Sequence, residues 1–369
     1  MKTLLSTLLV LGFVAFAAMA TAQTWNSMNL PEMSGKWVFT GITFPSPNSG
    51  WAAGYVDEST STKAISKGFV MQFKDGNWKL SEFASPSDNF TFHGIWFLSE
   101  NEGWAFGQDN AKGLLMHCKN GNWEKVDLSM VKATEWKLYD VFFLSNGEGW
   151  AVGGCDGKEK PVLLHFSAGA WKQEDSKEFG KQTIMAVSAI NADNVYIGGF
   201  REGEWGLTGM NRANGSFILS KAGDEWEPAK LPLLSKNVIC RDIICLDANN
   251  VYGVGWMPAF QNAPETGKVL FFNGKKWTEL SVENTPKEWN LMSVAFESPG
   301  KGWAVGFSDN RGLLVEITKD KWAALGKKNE PAVSDKWLLR SVTCDGAGNY
   351  YAAGGDSKSN KGVILKLAK

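Results

Sequence analysis

One short pattern recurs seven times along the chain: an aromatic anchor among small residues, with glycine three places after it. The copies are GWAAG at 50, GWAFG at 103, GWAVG at 149, VYIGG at 195, VYGVG at 251, GWAVG at 302 and YYAAG at 350. The anchors are Trp51, Trp104, Trp150, Tyr196, Tyr252, Trp303 and Tyr351, which span 300 residues in six steps, a mean period of 50. Helical solenoid repeats are shorter, and this period suits one four-stranded propeller blade.

The likeness extends well beyond the motif. Three residues after the anchor stand Gly54, Gly107, Gly153, Gly199, Gly255, Gly306 and Gly354. Nine before it stand Ile42, Ile95, Val141, Val187, Ile243, Val294 and Val342, all β-branched and apolar. Seven before it stand Phe44, Phe97, Phe143, Ala189, Cys245, Phe296 and Cys344. These define a first strand, a turn and an anchor strand. A third apolar strand follows (GFVMQF at 68, GLLMHC at 113, GVILKL at 362), its apolar character on both faces fitting a sheet covered on both sides. Turns such as DGN at 75 and NGN at 120 lead to a fourth strand opened by Trp78, Trp123, Trp171, Trp226, Trp277 or Trp322.

The seventh copy ends at Lys369 without a fourth strand, while TWNSMNLP at 24 resembles the fourth strand EWEPAKLP at 225. The N-terminal strand is therefore expected to complete the last blade, which removes two open sheet edges. An open stack would instead need polar caps at both ends. The expected fold is all-β, a seven-bladed propeller of four-stranded antiparallel blades over 23–369. Fifteen of the 18 Trp fall on repeat positions and are expected in the core, each indole N–H serving as a polar handle, rather than as sugar platforms.

Residues 1–22 stand apart from the repeats. Lys2, an apolar run from Leu4 to Met19, and Ala20 and Ala22 placed A-x-A read as a cleavable secretory signal cut after Ala22. That places the mature protein in the periplasm or outside the cell, without a later membrane span. Lys plus Arg number 38 against 39 Asp plus Glu, so no basic excess favours nucleic acid or an anionic membrane.

Catalytic side chains are few. Cys118, Cys155, Cys240, Cys245 and Cys344 are odd in number and lack metal-ligand spacing, so buried thiols are expected. His117 and His165 occupy equivalent third-strand positions and read as structural imidazoles, leaving no metal triad with His93. There is no Gly-rich phosphate loop before a helix and no G-x-S-x-G. No cofactor and no metal are expected.

The string W-x-L-x-x-V-x-F, then G-W-A-V-G, an apolar strand, a Gly turn and Trp, is clearest at Trp136 to Trp171 and Trp289 to Trp322. It resembles the repeat of the photosystem II stability and assembly factor-like propellers, relatives of the Asp-box (BNR) and WD40/YVTN-like repeats. The resemblance covers all seven copies and implies a propeller fold, a protein-binding role and an Arg-rich partner patch. Asp75, Gly76 and Trp78 come close to an Asp-box; SAGAW and TKDKW depart from it. The Gly pairs of VYIGGF and YYAAGG also resemble kelch-like propellers, whose copper-radical chemistry would need His and Tyr ligands. A sialidase-like glycoside hydrolase, or a glycan-binding propeller, is the alternative, and would imply three Arg, a Tyr nucleophile and an acid.

Two clusters are candidate sites. His93, Tyr139, Arg241 and Arg340 share one repeat position near the start of first strands, with Asp140 and Asp242 beside two of them. Together they are expected at one mouth of the central channel, as a wet polar ring or as paired carboxylates for acid and base work. Arg201, Trp205, Arg212, Trp256 and Phe260 lie in or beside second-to-third-strand loops on the same face, and combine residue types enriched at interface hot spots. The sequence therefore points to a secreted, non-catalytic propeller that binds a protein partner or supports assembly.

Overall fold

The computed structural model describes residues 23–155, 160–175, 178–202, 213–223, 225–232, 238–259, 263–309, 311–319, 321–326 and 329–368. Residues 1–22, expected to form a secretory signal, lie outside them. The described residues form strands and no α-helix, as antiparallel meanders. The third repeat is typical, with strands Lys137–Phe143, Gly149–Gly154, Val162–Ser167 and Ala170–Glu174 paired in chain order. Its last turn shows why short polar sequences suffice there. Ala168 and Gly169 take φ of 51° and 80°, the same left-handed pair as Asp75 (52°) and Gly76 (80°), so the departing sequence SAGAW keeps the hairpin geometry.

Seven such four-stranded sets can be traced among the described residues. Their first strands are Lys36–Ser46, Phe90–Ser99, Lys137–Phe143, Gln182–Asn191, Ile239–Asp247, Asn290–Ser298 and Trp337–Cys344. One parallel bridge, Lys67 to Phe90, links the first two sets into a single eight-stranded sheet. The sixth gains a parallel rim strand, Val282–Glu283.

The outer strand of the last set comes from the start of the chain. Trp25–Ser27 pairs antiparallel with Lys361–Leu367, in the register Trp25 to Leu367, Asn26 to Lys366 and Ser27 to Leu365. Trp25 is buried edge-on against Trp303 of the sixth set, ring centroids 5.2 Å apart. The seventh set in turn packs on the first: Tyr351 stacks on Phe44 at 3.6 Å, and the Ile42 N–H donates to Ser341 Oγ at 3.2 Å.

That aromatic contact recurs wherever the next blade offers a ring. The anchor of one blade stacks on the residue seven before the anchor of the next: Trp51 on Phe97 at 4.5 Å, Trp104 on Phe143 at 3.7 Å, Tyr252 on Phe296 at 4.5 Å, while Ala189, Cys245 and Cys344 hold the position at the other three junctions. Such pairs contribute about 0.5–1.5 kcal/mol beyond their buried area, so they select the order of neighbours as well as filling space. Of the fifteen Trp on repeat positions all are buried except Trp171, which is half-buried.

The expected polar handle is a poorer description. Trp123 and Trp226 donate to Ser81 Oγ and Glu174 Oε2, but the buried indole N–H groups of Trp25, Trp37, Trp51, Trp78, Trp136 and Trp150 meet no acceptor. Here the ring is chosen for its volume. The five thiols are free; Cys118, Cys155 and Cys240 are buried, whereas Cys245 and Cys344 are only half-buried.

Candidate functional site

Each first strand carries a β-bulge at the same place. Pairing skips from Phe39 to Gly41, Phe92 to Gly94, Leu138 to Asp140, Ile184 to Ala186, Cys240 to Asp242, Leu291 to Ser293 and Leu339 to Ser341. The skipped residues are Thr40, His93, Tyr139, Met185, Arg241, Met292 and Arg340, eleven before each anchor. A bulge bends its strand and re-aims one side chain. Here it also explains the repeat glycine. A Cβ on Gly153 would lie 1.9 Å from the Lys137 carbonyl oxygen, just before the bulge, and the six equivalent glycines face a carbonyl at 1.9–2.1 Å. The glycine admits the bent strand, and the bent strand turns seven side chains into the channel.

All seven line one deep pocket, and five of them, Thr40, His93, Tyr139, Arg241 and Arg340, wall a wider cavity of about 360 Å3 above it with Tyr55, Ser66 and Thr91. Among the described residues no carboxylate lines this upper cavity. His93 Nδ1 lies 2.7 Å from the Leu138 carbonyl oxygen, which can only accept, so Nδ1 carries the proton and Nε2 accepts from the Thr91 hydroxyl at 3.3 Å. Burial pushes the His93 imidazole down to about 4, with Arg241, Lys137 and Arg340 adding to the effect against the Leu138 hydrogen bond. The ring is therefore neutral at pH 7. It stacks on Tyr139 at 5.5 Å, and the Arg241 guanidinium lies over the other ring at 5.9 Å from its centroid. Arg340 shares the cavity, and its Nε is buried without a hydrogen-bond partner.

Asp140 and Asp242 line only the deeper part, of about 100 Å3. There they act as clasps between blades. Asp140 accepts from its neighbour Val141 N–H at 2.8 Å and from Val187 N–H of the next blade at 2.9 Å; Asp242 accepts from Val294 N–H at 2.9 Å. Ser293 and Ser341 make the equivalent bond to Val342 and Ile42. Burial, then the Asp242 carboxylate, pushes the Asp140 carboxyl up to about 8, against those two N–H groups and Arg241; burial also raises Asp242. Of the two expected arrangements, a wet polar ring or paired carboxylates, the described contacts show both acids bonded to backbone donors within the deeper pocket and absent from the lining of the wider cavity.

No protein-family profile and no curated protein matches the sequence. Among solved structures the chain is similar to YCF48 bound to D1 peptide, at 13% identity over 95% of this chain and 96% of that one, with a TM-score of 0.61. It is also similar to YCF48 from Cyanidioschyzon merolae, at 18% identity over 93% and 98%, with the same TM-score of 0.61. The fold is that of YCF48, a β-propeller. The resemblance to assembly factor-like propellers therefore holds at the level of fold.

Against that fold, the second candidate cluster is only partly placed. Trp205, Arg212 and Phe260 lie outside the described residues, and Arg201 is described by its backbone alone, paired with Gln182. Trp256 is half-buried and paired with Ile239 and Gly267, four residues after its anchor, where the first repeat has the cavity-lining Tyr55. Arg311 is paired with Glu330, so it does not join Arg241 and Arg340 as a third carboxylate-binding cation. Thr40, Tyr55, Ser66 and Thr91 were not singled out from the sequence. The position eleven before the anchor would have found Thr40; the others needed coordinates, because hydroxyls carry no period.

His117 and His165 belong to the blade packing. Each imidazole stacks on its own anchor, Trp104 at 4.7 Å and Trp150 at 5.0 Å, and each meets a carboxylate, Glu102 at 3.1 Å and Glu148 at 2.8 Å. Among the described residues no group of three or more His, Cys, Asp or Glu is placed to hold a metal ion.

Proposed function

We propose that this chain is a non-catalytic binding propeller, exported from the cytoplasm, whose channel-mouth face docks a protein partner and so supports assembly. The same reading takes the seven four-stranded sets as one ring fastened by the N-terminal strand. The observation that carries it is the upper cavity, where two guanidiniums, hydroxyls and an aromatic platform converge with no carboxylate among the described lining residues. Such a surface suits recognition: His93 is neutral, with its Nδ1–H on the Leu138 carbonyl and its Nε2 on the Thr91 hydroxyl, and Asp140 and Asp242 accept from backbone N–H groups. That YCF48 is found with a bound D1 peptide supports a peptide or protein as the occupant of such a face.

The test is quantitative capture of partners from the source cell by wild type and by the double variant Arg241→Met, Arg340→Met, alongside a glycoside and sialoside hydrolysis panel. The reading expects one or few proteins retained by wild type and lost with the double variant, and no hydrolysis. Turnover of any glycoside that wild type performs and the double variant does not would replace it with the enzyme. Export is tested separately, by fractionation and by N-terminal sequencing of the mature chain, expected to begin at Gln23.

A further inference from the structure

We propose that the channel mouth is a receptor for a single oxyanion, a carboxylate or phosphate group, gripped between Arg241 and Arg340. This rests on reading the mouth as a binding site and names the chemistry it recognises. Two permanently charged side chains from blades five and seven enter one cavity, although like charges at close quarters repel. Neither lies within ion-pair distance of a carboxylate, and neither donates a hydrogen bond to a protein acceptor, among the described residues. Other partly buried cations of the molecule do have a carboxylate, as in Arg311 with Glu330 or Lys221 with Glu174. The acids that act on Arg241, Asp140 and Asp242, are held by Val187 and Val294 in the deeper chamber.

The arrangement is also held in shape. Arg241 is braced over Tyr139, which is braced on His93, whose own orientation is fixed by the Leu138 carbonyl. A guanidinium fork held in one place matches the planar oxygens of a carboxylate or two oxygens of a phosphate, and gains strength where the walls exclude water. A volume of about 360 Å3 holds one such group with its residual waters. The cavity continues outward, past Tyr55 and Arg340, into a groove of about 200 Å3 between the first and last blades, lined in part by Lys36, Asp57 and Asp356. That groove leaves room for whatever bears the anion, which is either a free small molecule or an acidic side chain of a peptide.

The experiment titrates wild type, Arg241→Met, Arg340→Met and the double variant with inorganic phosphate and with acetate, by calorimetry at constant ionic strength. Methionine is chosen because Met185 and Met292 already occupy this bulge position in two blades. Wild type is expected to bind, each single variant to bind at least about tenfold more weakly, and the double variant not at all, with unchanged near-ultraviolet circular dichroism. Arg340→Lys keeps the charge without the fork and is expected to weaken acetate more than phosphate, which guards against a misfolded methionine variant. A Glu-containing peptide and its Gln counterpart form the second arm: a Glu peptide binding more tightly than acetate assigns the anion to a peptide, and equal binding assigns it to a small molecule. No binding of phosphate, acetate or Glu peptide at ~10 mM, or equal binding by wild type and double variant, overturns the proposal. Protein capture that survives in the double variant while phosphate and acetate binding is lost would overturn docking of a protein at this mouth and leave the oxyanion receptor standing.

Discussion

Two positions of the repeat, eleven residues apart, follow opposite rules. At the anchor every blade has Trp or Tyr; at the bulge the blades hold Thr40, His93, Tyr139, Met185, Arg241, Met292 and Arg340. The anchor ring is clamped between its own sheet and the next, so its size and shape are dictated by packing. The bulge side chain leaves its sheet for the channel, where it meets other bulge side chains rather than the repeated packing of the blades. Repetition therefore builds the scaffold, and the place where repetition fails in chemistry while holding in geometry carries the recognition. Separating the two positions experimentally means damaging the geometry at one and the chemistry at the other.

The largest effect is expected from the geometry. Gly153→Ala would place a methyl group 1.9 Å from the Lys137 carbonyl oxygen, so either the bulge straightens or the strands part. The expected cost is on the order of 4 kcal/mol or more, read as a lower midpoint in urea unfolding, because no flexible side chain can yield there. A stable, fully folded Gly153→Ala protein would break the link drawn between glycine and bulge.

A middle-sized effect belongs to the clasp beside the bulge. Asp140→Ala leaves the Val187 N–H without its acceptor and should cost about 1–3 kcal/mol. Asp140→Ser should recover much of that, since Ser293 and Ser341 already perform the same task in two other blades. Equal loss in both variants would mean that the carboxylate does something beyond joining blades.

Most of the scaffold was legible because it is periodic. Anchor, glycine, β-branched residue and fourth-strand Trp each recur, and the borrowed outer strand was readable from TWNSMNLP, whose Trp25 pairs with Leu367. The shared position of His93, Tyr139, Arg241 and Arg340 was readable in the same way, and the structure brings these four to one cavity. What the sequence could not convey was direction. Asp140 and Asp242 are one residue further on, and a single step along a strand turns a side chain from the channel to the neighbouring blade. A bulge upsets even that alternation, and its only trace is a glycine fourteen residues downstream of Tyr139. Loop residues such as Trp205 follow no period, so nothing in the repeat could position them.

Effects that are small at neutral pH and grow only away from it come from two histidines, one on each side of the comparison. His93 sits at a bulge, where burial holds it neutral down to about pH 4, whereas an unfolded chain protonates near 6.5. Its contribution is thus complete above pH 6.5 and lost as pH falls toward 4, at no more than about 1.4 kcal/mol per pH unit. His165 sits in the packed layer, where Glu174 at 3.1 Å, with Glu148 at 2.8 Å, favours the charged ring and raises its value against the opposing effect of burial. Its contribution is complete below 6.5 and lost as pH rises through that raised value. Denaturation midpoints measured from pH 4 to 9 should show His93→Gln with a shallower acid limb than wild type, and His165→Gln with a shallower alkaline decline. If both variants instead flattened the same limb, the channel and the blade interior would be one environment, and the contrast between scaffold and recognition positions would fail at the histidines.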